Sequence, residues 1–237
     1  GFYRMIPEIV LFPKTEKEMS AILRAASDEK CAVTFRAAGT SLSGQAISDS
    51  VLIVVGRYWE EYRLADDLST IDLQPGIVGQ RVNDILAKHG RRISPDPASI
   101  KSAMIGGMIV NNASGMNCGV HGNSDRVIKS ARIIFADGTV LDTGNSKSRE
   151  LFEKNRPEFI AEIQKIRDDI RADTTLTEKI KRKYKIKNVT GLNLLPFVRF
   201  DDPFDIITHL LVGSEGTLAF LARAVLRTEK VLPRSAS

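Results

Sequence analysis

Four clusters of glycine and other small residues are the part of this sequence best suited to bind a ligand. They read "AAGTSLSG" at 37–44, "IGGMIVNNASG" at 105–115, "CGVHG" at 118–122 and "GSEGT" at 213–217. Glycine lets the main chain come close to a ligand, and successive exposed N–H groups form a concave site for an anion such as phosphate. For any single cluster, the alternative interpretation is an ordinary tight turn that binds nothing. Together, the four clusters predict one long ligand that the main chain crosses at several places.

The first cluster is typical of a diphosphate site that needs no positively charged side chain. It lies within "RAAGTSLSGQA" at 36–46, which carries no charge after its first residue, Arg36. Thr40, Ser41 and Ser43 add hydroxyl groups to the main-chain donors. Each hydrogen bond to a charged group contributes roughly 1.5–3 kcal/mol, so about four or five of them hold a diphosphate without a lysine.

Two common nucleotide-binding motifs are absent. A dinucleotide fingerprint, G-x-G-x-x-G, needs two glycines two positions apart, and the chain contains no such pair. Gly39 and Gly44 have the glycine spacing of an ATPase phosphate loop, but Gln45 and Ala46 stand where lysine and a hydroxyl residue are required. No C-x-x-C pair, H-E-x-x-H pattern or Ser-His-Asp order is present either. The sequence therefore predicts neither a Rossmann site, an ATPase site nor a metal site.

The first glycine cluster is predicted to follow a strand in a small N-terminal lobe, residues 1–67. "PKTEKEMSAILRAASDEK" at 13–30 predicts a helix, because Thr15 and Glu18 have capping-box spacing and an apolar face follows them. "CAVTFR" and "VLIVV" on either side of the cluster are rich in β-forming residues. The predicted order is strand, helix, strand, loop, strand.

The other three clusters fall in a predicted second lobe, residues 68–237. "TIDLQPG" indicates a strand, "VGQRVNDILAKHG" a helix ended by Gly90, and "RVIKSARIIFADGTVLDTG" a hairpin through Asp137–Gly138. "DIITHLLVGSEGTLAFLARAVLRT" predicts a helix, a glycine-rich turn and a long strand, and residues 145–200 a helical, basic insertion. Helices and strands do not alternate strictly, which favours the α+β class.

Composition is that of a soluble globular protein, with 43% hydrophobic and 27% charged residues in 237. We expect no signal peptide and no transmembrane segment, because no apolar run approaches about 20 residues. Two cysteines, Cys31 and Cys118, form no disulfide framework and favour free thiols in a reducing cytoplasm.

One basic run, "KIKRKYKIK" at 179–187, carries six positive charges and no negative one. The whole chain has a net charge of +5, so the positive charge is concentrated in this run. A solvated insertion is one interpretation, and contact with other domains or with an acidic electron partner is another. Nucleic-acid binding is disfavoured, because Tyr184 is the only aromatic residue in the run that could stack on bases.

Five motifs in order resemble one known family. "PEIVLFPKTEKEM" resembles its opening strand and helix, and "FRAAGTSLSGQA" its pyrophosphate loop, R-G-x-G-T-S-x-x-G. "QPGIVGQRVNDIL" is similar to its V-x-P-G strand and helix, "SPDPASIKSAMIGGMIVNNASG" to its P-D-P-x-S segment, and "LVGSEGTLAF" to its G-S-E-G-T-L signature. The family is the PCMH-type FAD-binding domain shared by vanillyl-alcohol oxidase, para-cresol methylhydroxylase and FAD-linked D-2-hydroxyacid dehydrogenases.

This resemblance implies a two-lobed α+β fold, with a small N-terminal βαβ lobe and a larger lobe whose mixed or antiparallel sheet is flanked by helices. It also implies which residues contact FAD. The pyrophosphate loop supplies Arg36, Ala37, Ala38, Gly39, Thr40, Ser41, Leu42, Ser43, Gly44 and Gln45. Segments near the pyrophosphate, ribityl chain and flavin supply Pro95, Asp96, Ser99, Ile105, Gly106, Gly107, Asn111, Asn112, Ser114, Gly115, Gly119 and Gly122. The adenine and ribose side is closed by Gly213, Glu215 and Gly216.

Two departures from the family pattern bear on the cofactor. Ala37–Ala38 stands where the family often has Gly-x, so a more constrained main chain must still fit the ligand. The loop also lacks the histidine that tethers the flavin in covalent members, and Cys118 and His121 are weak substitutes. We therefore expect non-covalent FAD.

The resemblance further implies the reaction. "RKYKIKNVTGLNLLPFVRFDDPFDIITHLLVGSEGT" is similar to D-lactate and D-2-hydroxyglutarate dehydrogenases, which oxidise a D-2-hydroxyacid by hydride transfer to FAD. In relatives the catalytic base and the substrate-binding arginine lie mostly on a following cap domain, so we predict no catalytic residue here. We expect a separate substrate domain, an iron–sulfur region or other electron acceptor, and a cytoplasmic location, with a peripheral one at the inner membrane as the alternative.

Alternative functions remain open at this stage. Within the same fold, the chain could serve a cell-wall precursor reductase or a molybdenum-hydroxylase flavin subunit. From another class, it could be a non-catalytic module that binds anions or nucleic acid through residues 179–187.

Overall fold

The computed structural model describes residues 3–115, 122–186, 188 and 191–231. A small parallel sheet opens the chain, with strand order β1-β3-β2. Its strands are β1 (Ile9–Leu11), β2 (Val33–Arg36) and β3 (Val51–Val54), and α1 (Glu16–Asp28) joins the first two. This confirms the predicted βαβ unit and places the glycine-rich loop between β2 and β3.

Helix α1 begins where the capping residues predict. The Thr15 hydroxyl accepts a hydrogen bond from the Glu18 main-chain N–H at 3.2 Å, and the Glu18 carboxylate accepts one from the Lys14 N–H at 2.7 Å. The first contact satisfies an N–H group that the first turn of a helix leaves free, and the second ties the residue before the N-cap to that turn. Met19 and Leu23 are buried, so the predicted apolar face of α1 packs on the core.

A larger antiparallel sheet has the order β4-β5-β9-β7-β8. Its strands are β4 (Tyr62–Leu64), β5 (Thr70–Leu73), β7 (Ile128–Ile134), β8 (Val140–Asp142) and β9 (Phe220–Arg227), while β6 (Arg91–Arg92) and β10 (Glu229–Lys230) pair separately. Central strand β9 is buried along most of its length, which explains its nearly continuous apolar sequence. The chain passes from the small sheet to the large one between Val54 and Tyr62, before the predicted boundary near residue 67.

Helices cover the large sheet and extend beyond it. They are α2 (Gly79–Ala87), α3 (Ile105–Val110), α4 (Ser124–Val127), α5 (Ser146–Asn155), α6 (Pro157–Ala172), α7 (Thr174–Lys183), α8 (Leu195–Arg199) and α9 (Pro203–Leu210). Buried residues of α2, α3 and α9 share the main core with β5, β7 and β9. A separate cluster of Ile170, Ile180, Phe197 and Ile206 holds α6, α7, α8 and α9 together. No helix among the described residues is long and apolar enough to cross a membrane.

A second core joins the two sheets. Met19 and Ile53 of the small sheet and its helix pack with Trp59 and with Ile134 and Phe220 of the large sheet. The Trp59 indole N–H donates to the Pro13 carbonyl at 2.8 Å, and its ring meets Phe220 edge-on, with 5.2 Å between centroids. This shared core fixes the β2–β3 loop opposite α3.

Candidate cofactor-binding site

A cleft of about 360 Å³ lies between the β2–β3 loop and α3. One wall is formed by nearly all of the predicted pyrophosphate loop, namely Ala37, Ala38, Gly39, Thr40, Ser41, Leu42, Ser43 and Gln45. The opposite wall contains four more predicted residues, namely Ser99, Gly107, Asn111 and Glu215. Segments far apart in the sequence therefore meet at one cleft, as the glycine clusters predict.

The loop is held in shape by its first residue. The Arg36 guanidinium Nη1 donates to the Ala46 carbonyl at 3.2 Å and so links the two ends of the loop. Gly39 lies beneath this side chain with φ +68°, and a Cβ atom there would stand 2.7 Å from Arg36 Cζ. The left-handed backbone therefore favours glycine at position 39, and a Cβ atom there would displace the Arg36 side chain.

The main chain of this loop presents a row of free donors. None of the N–H groups of residues 37–45 donates to another group in the described ranges, and the hydroxyls of Thr40, Ser41 and Ser43 have no partner there either. Six of these nine residues are half-buried and Thr40, Leu42 and Ser43 are exposed. Half-buried N–H groups without partners are uncommon in proteins unless a ligand or water satisfies them. A diphosphate, with its many acceptor oxygens, fits this wall of the cleft.

Helix α3 forms the second wall with one of its faces. Met104, Gly107, Met108 and Asn111 line the cleft, and their spacing is that of residues on one side of a helix. Ile105 and Ile109 point the other way and are buried in the main core. Gly106 lies against Pro75, where a Cβ atom would stand 2.6 Å from the Pro75 Cβ, so glycine permits α3 to pack closely on the end of β5.

Glu215 is the one charged residue among those lining the cleft, all of which lie in the described ranges. Its N–H donates to the Val110 carbonyl at 2.9 Å, and its Oε1 accepts from the Asn111 amide at 2.6 Å. Burial raises the pKa of Glu215, while the hydrogen bond from Asn111 acts in the opposite direction. The cleft therefore offers main-chain donors at the loop and a fixed acceptor at Glu215.

A smaller cavity of about 60 Å³ adjoins the cleft and shares several lining residues with it. It is lined by Phe35, Ala37, Val55, Pro75, Gly106, Gly107, Val110, Glu215, Gly216, Ala219, Phe220 and Leu221. Except for Glu215, these residues are apolar or glycine. The site thus combines a polar cleft with a small apolar extension.

One buried polar atom near the loop has no partner in the described part of the chain. The Gln45 side-chain Oε1 is buried and accepts no hydrogen bond there. An unpartnered buried acceptor costs about 1–3 kcal/mol. A ligand with hydroxyl or amino donors, such as the ribityl, ribose or adenine groups of FAD, fits this position.

Several predicted residues lie beside the cleft without lining it. Arg36 and Gly44 shape the loop, Ile105 is in the core, and Gly106 and Gly216 line the smaller cavity. Pro95 is buried and Asp96 half-buried, and the Asp96 carbonyl lies so close to Gly115 that a Cβ there would be 1.9 Å away. Buried or half-buried positions without a place in either lining are Asn112, Ser114, Gly122 and Gly213. Gly119, Cys118 and His121 lie outside the described residues.

The prediction from sequence omitted several residues that line the cleft. These are Phe35, Ala46, Pro97, Ala103, Met104, Met108, Val110 and Ala113. For Met104 and Met108 the signal was available, because they share helical spacing with Gly107 and Asn111. The others are small or apolar residues that flank the motifs and carry no chemical signature of their own.

Sequence comparisons point to a single family. The model of a family described as FAD binding domain matches residues 7–144. The D-2-hydroxyglutarate dehydrogenase of Haemophilus influenzae is 28% identical over 94% of this chain, which spans 23% of that protein. The D-lactate dehydrogenase of Archaeoglobus fulgidus is 26% identical over 92% of this chain, which spans 38% of that protein. This chain therefore corresponds to well under half of the length of these relatives.

Solved structures share the fold at low sequence identity. 6-Hydroxy-D-nicotine oxidase from Arthrobacter nicotinovorans aligns over 97% of this chain and 38% of its own, with a TM-score of 0.61 and 13% identity. An alkyldihydroxyacetonephosphate synthase aligns over 95% of this chain and 32% of its own, with a TM-score of 0.58 and 16% identity. These likenesses confirm the predicted two-lobed α+β fold.

Proposed function

This chain belongs to the family of FAD-binding domains, and from that premise we propose that it is the cofactor-binding part of a D-2-hydroxyacid dehydrogenase of the D-lactate or D-2-hydroxyglutarate type. The observation that carries the cofactor part of the proposal is the row of unpartnered N–H groups at residues 37–45, in the loop that faces Gly107 and Glu215. The names of the relatives support the substrate class.

The cleft suggests how the chain would hold FAD without a covalent bond. N–H groups of residues 37–45 would donate to the diphosphate, with Thr40, Ser41 and Ser43 assisting. Glu215 and Gly216 would contact the adenine and ribose groups, and Gly107 and Asn111 would contact the cofactor along α3. When bound, FAD supplies the acceptor for the hydride that leaves the hydroxyl-bearing carbon.

Partners and location are part of the same proposal. A substrate domain that supplies the catalytic base, and an iron–sulfur region or another electron acceptor, would complete the enzyme. We propose that this chain divides into two lobes; the sequence predicts the division near residue 67, and the change of sheet between Val54 and Tyr62 favours a boundary a few residues earlier. We also propose a cytoplasmic location, with peripheral attachment at the inner membrane as the alternative. Cell fractionation of the native protein decides between the two locations.

The cofactor proposal is tested by titrating purified protein with FAD and recording the flavin spectrum and fluorescence. Gly39→Ala should weaken FAD binding about tenfold or more, because the new Cβ displaces Arg36 and strains a left-handed residue. Gly90→Ala is the matched control, since Gly90 has φ +65°, open space around it and no place in the cleft. It carries the same backbone strain and should retain FAD.

Two results would contradict the proposal. If wild-type protein fails to perturb the flavin spectrum, the cleft is not an FAD site. If Gly39→Ala and Gly90→Ala lose FAD to the same extent, the loss reflects general destabilisation and not the loop. The hydroxyacid part is tested separately, by turnover of D-lactate and D-2-hydroxyglutarate in the longest natural protein that contains this chain.

A further inference from the structure

Helix α7 carries a dense group of basic side chains on the outside of the protein. It packs on its neighbours through Leu176, Ile180 and Tyr184, which follow one another at intervals of four residues. Glu178 is the one acidic residue between positions 174 and 186, and it pairs with Lys181 at 2.9 Å. The same stretch contains five exposed basic residues, namely Lys179, Lys181, Arg182, Lys183 and Lys185. It therefore presents a strong excess of positive charge to the outside.

The helix holds these charges in a fixed place. The Asp173 carboxylate caps its start by accepting a hydrogen bond from the Leu176 N–H at 2.8 Å. The Thr177 hydroxyl donates to the Ile170 carbonyl of α6 at 2.8 Å. Ile180 is buried against Ile170 in the cluster that joins α6, α7, α8 and α9. The basic side chains are therefore carried by a helix that is anchored to the rest of the protein.

Exposed aliphatic side chains lie next to the basic ones. Ile186, Leu192 and Leu194 are 71%, 53% and 42% exposed. Tyr184 and Leu195 pack in the same cluster, so the residues just after α7 and just before α8 lie side by side. The Tyr184 hydroxyl also shares a hydrogen bond with the Leu194 main chain. The five basic and three aliphatic side chains therefore form one surface, which we call the α7 surface.

Stabilisation of the helix end does not account for this composition. Basic side chains in the last turn of a helix interact favourably with its dipole, and three of the five basic residues occupy that turn. Lys179 precedes the last turn, Lys185 follows the helix, and the exposed aliphatic side chains gain nothing from the dipole. The last turn of α5, by comparison, contains one basic residue, Lys154. The α7 surface therefore has the composition of a binding surface.

The composition also distinguishes between anionic partners. Single-stranded nucleic acid stacks on exposed aromatic side chains, whereas Tyr184 is half-buried among the helices, and duplex DNA offers no apolar layer for aliphatic side chains. Protein interfaces are depleted in lysine and enriched in arginine, whereas four of the five basic residues here are lysines. Anionic lipids attract groups of about four to eight basic residues, and aliphatic side chains beside them enter the acyl boundary. The α7 surface therefore fits a bilayer best.

We propose that the α7 surface binds the anionic headgroups of a lipid bilayer, with Ile186, Leu192 and Leu194 entering the boundary between headgroups and acyl chains. The run at 179–187 carries more positive charge than the whole chain, so the remainder is slightly negative and would face away from an anionic surface. This inference does not depend on FAD binding. It names the surface that the peripheral alternative of the proposed location would use.

The test is co-sedimentation of this chain with lipid vesicles. Vesicles of equal parts phosphatidylglycerol and phosphatidylcholine should bind the protein in a low-salt buffer, and vesicles of phosphatidylcholine alone should not. Lys183→Gln and Lys185→Gln should each weaken binding about fivefold, the value of one basic residue near an anionic surface. Ile186→Ser should weaken binding about tenfold, because the variant has no aliphatic side chain to transfer from water to lipid.

Helix α5 supplies matched controls. Lys154 is an exposed lysine in its last turn, and Leu151 is a leucine that is 60% exposed on the same helix. Lys154→Gln and Leu151→Ser remove the same charge and a similar aliphatic side chain away from the α7 surface, so both should bind vesicles as wild type does. All of these variants should keep the thermal unfolding midpoint of wild type, because the substituted side chains are exposed.

Several results would overturn the proposal. Failure of wild type to bind the anionic vesicles would do so, as would equal binding to both kinds of vesicle. Equal losses in Lys154→Gln and Lys183→Gln would show that only the net charge matters. Tighter binding of duplex DNA than of anionic vesicles, unaffected by Ile186→Ser, would assign the surface to nucleic acid.

The failure of the two proposals can be told apart. If FAD binds and the anionic vesicles do not, the α7 surface is not a lipid site, while the cofactor assignment stands. If the vesicles bind through Lys183, Lys185 and Ile186 but FAD does not bind, the cofactor proposal fails and the lipid site stands.

Discussion

His209 gives the folded protein a defined sensitivity to acid. The side chain is buried in α9, and its Nδ1–H donates to the Asp205 carbonyl at 2.8 Å. Burial lowers the pKa of His209 from 6.5 to about 4, and Arg199 and Arg227 add repulsion, while the bond to Asp205 opposes the shift. The folded protein therefore binds a proton at His209 more weakly than the unfolded chain does.

The sign and size of the effect follow from this difference. The contribution of His209 to stability is complete above about pH 6.5 and is lost as the pH falls towards 4. The full shift corresponds to roughly 3 kcal/mol, of which about 2 kcal/mol is lost between about pH 7.5 and pH 5. Asp125, Asp205 and Glu215 act in the opposite direction in acid, because their folded pKa values are raised.

The assay is urea unfolding at several pH values between about 7.5 and 5, for wild type and for His209→Gln. The carboxyl groups are common to both proteins, so the difference between the two curves isolates the histidine. Wild type should lose about 2 kcal/mol more than the variant on acidification. His89→Gln, at an exposed position, is the control and should follow wild type. Parallel curves for wild type and His209→Gln would refute the assignment of a buried, neutral His209.

Two further substitutions test the cleft and the shared core. Glu215→Gln keeps a hydrogen-bond acceptor for Asn111 but removes the charge; FAD affinity at pH 7 should fall about tenfold. Wild-type affinity should also decline in acid, because burial raises the pKa of Glu215, whereas that of Glu215→Gln should not; identical pH profiles would contradict this. Trp59→Phe removes the donor to the Pro13 carbonyl and should cost about 1–3 kcal/mol in urea unfolding, without changing the spectrum of bound FAD. An unchanged unfolding midpoint would show that this hydrogen bond does not hold the two sheets together.

The glycine-rich loop was predictable because its chemistry resides in its main chain. Small residues after a β-rich run are visible in the sequence, and they are what an anion-binding loop requires. Its lack of internal hydrogen bonds was not predictable, because it depends on whether neighbouring strands and loops come close enough to accept them. The link from Arg36 to Ala46 was hidden for the same reason.

The segment "IGGMIVNNASG" shows a second limit of prediction from sequence, because a motif does not reveal which of its residues face the ligand. Read as a motif, its residues follow the cofactor one after another. In the structure most of them form the short helix α3, which divides them between the cleft and the core. Helical spacing then assigns Met104 and Met108 to the cleft and Ile105 to the core. Strand β4 was missed because it lies at the sheet edge, where a charged sequence is tolerated and apolar alternation is weak.

The basic run at 179–187 is obvious in the sequence, but the packing of its half-buried Tyr184 among the helices was not predictable, because it depends on Ile170 and Phe197, which lie on other elements.

The two walls of the cleft are anchored to different sheets, and this explains why the small residues cannot be exchanged freely. Arg36 secures the loop at the end of the parallel sheet, while Gly106 sets α3 against Pro75 at the end of β5 in the antiparallel sheet. The distance between the walls is therefore fixed by the core around Trp59 that joins the sheets. A ligand that bridges the walls therefore contacts elements of both sheets, and a substitution at either anchor changes the distance that the ligand must span.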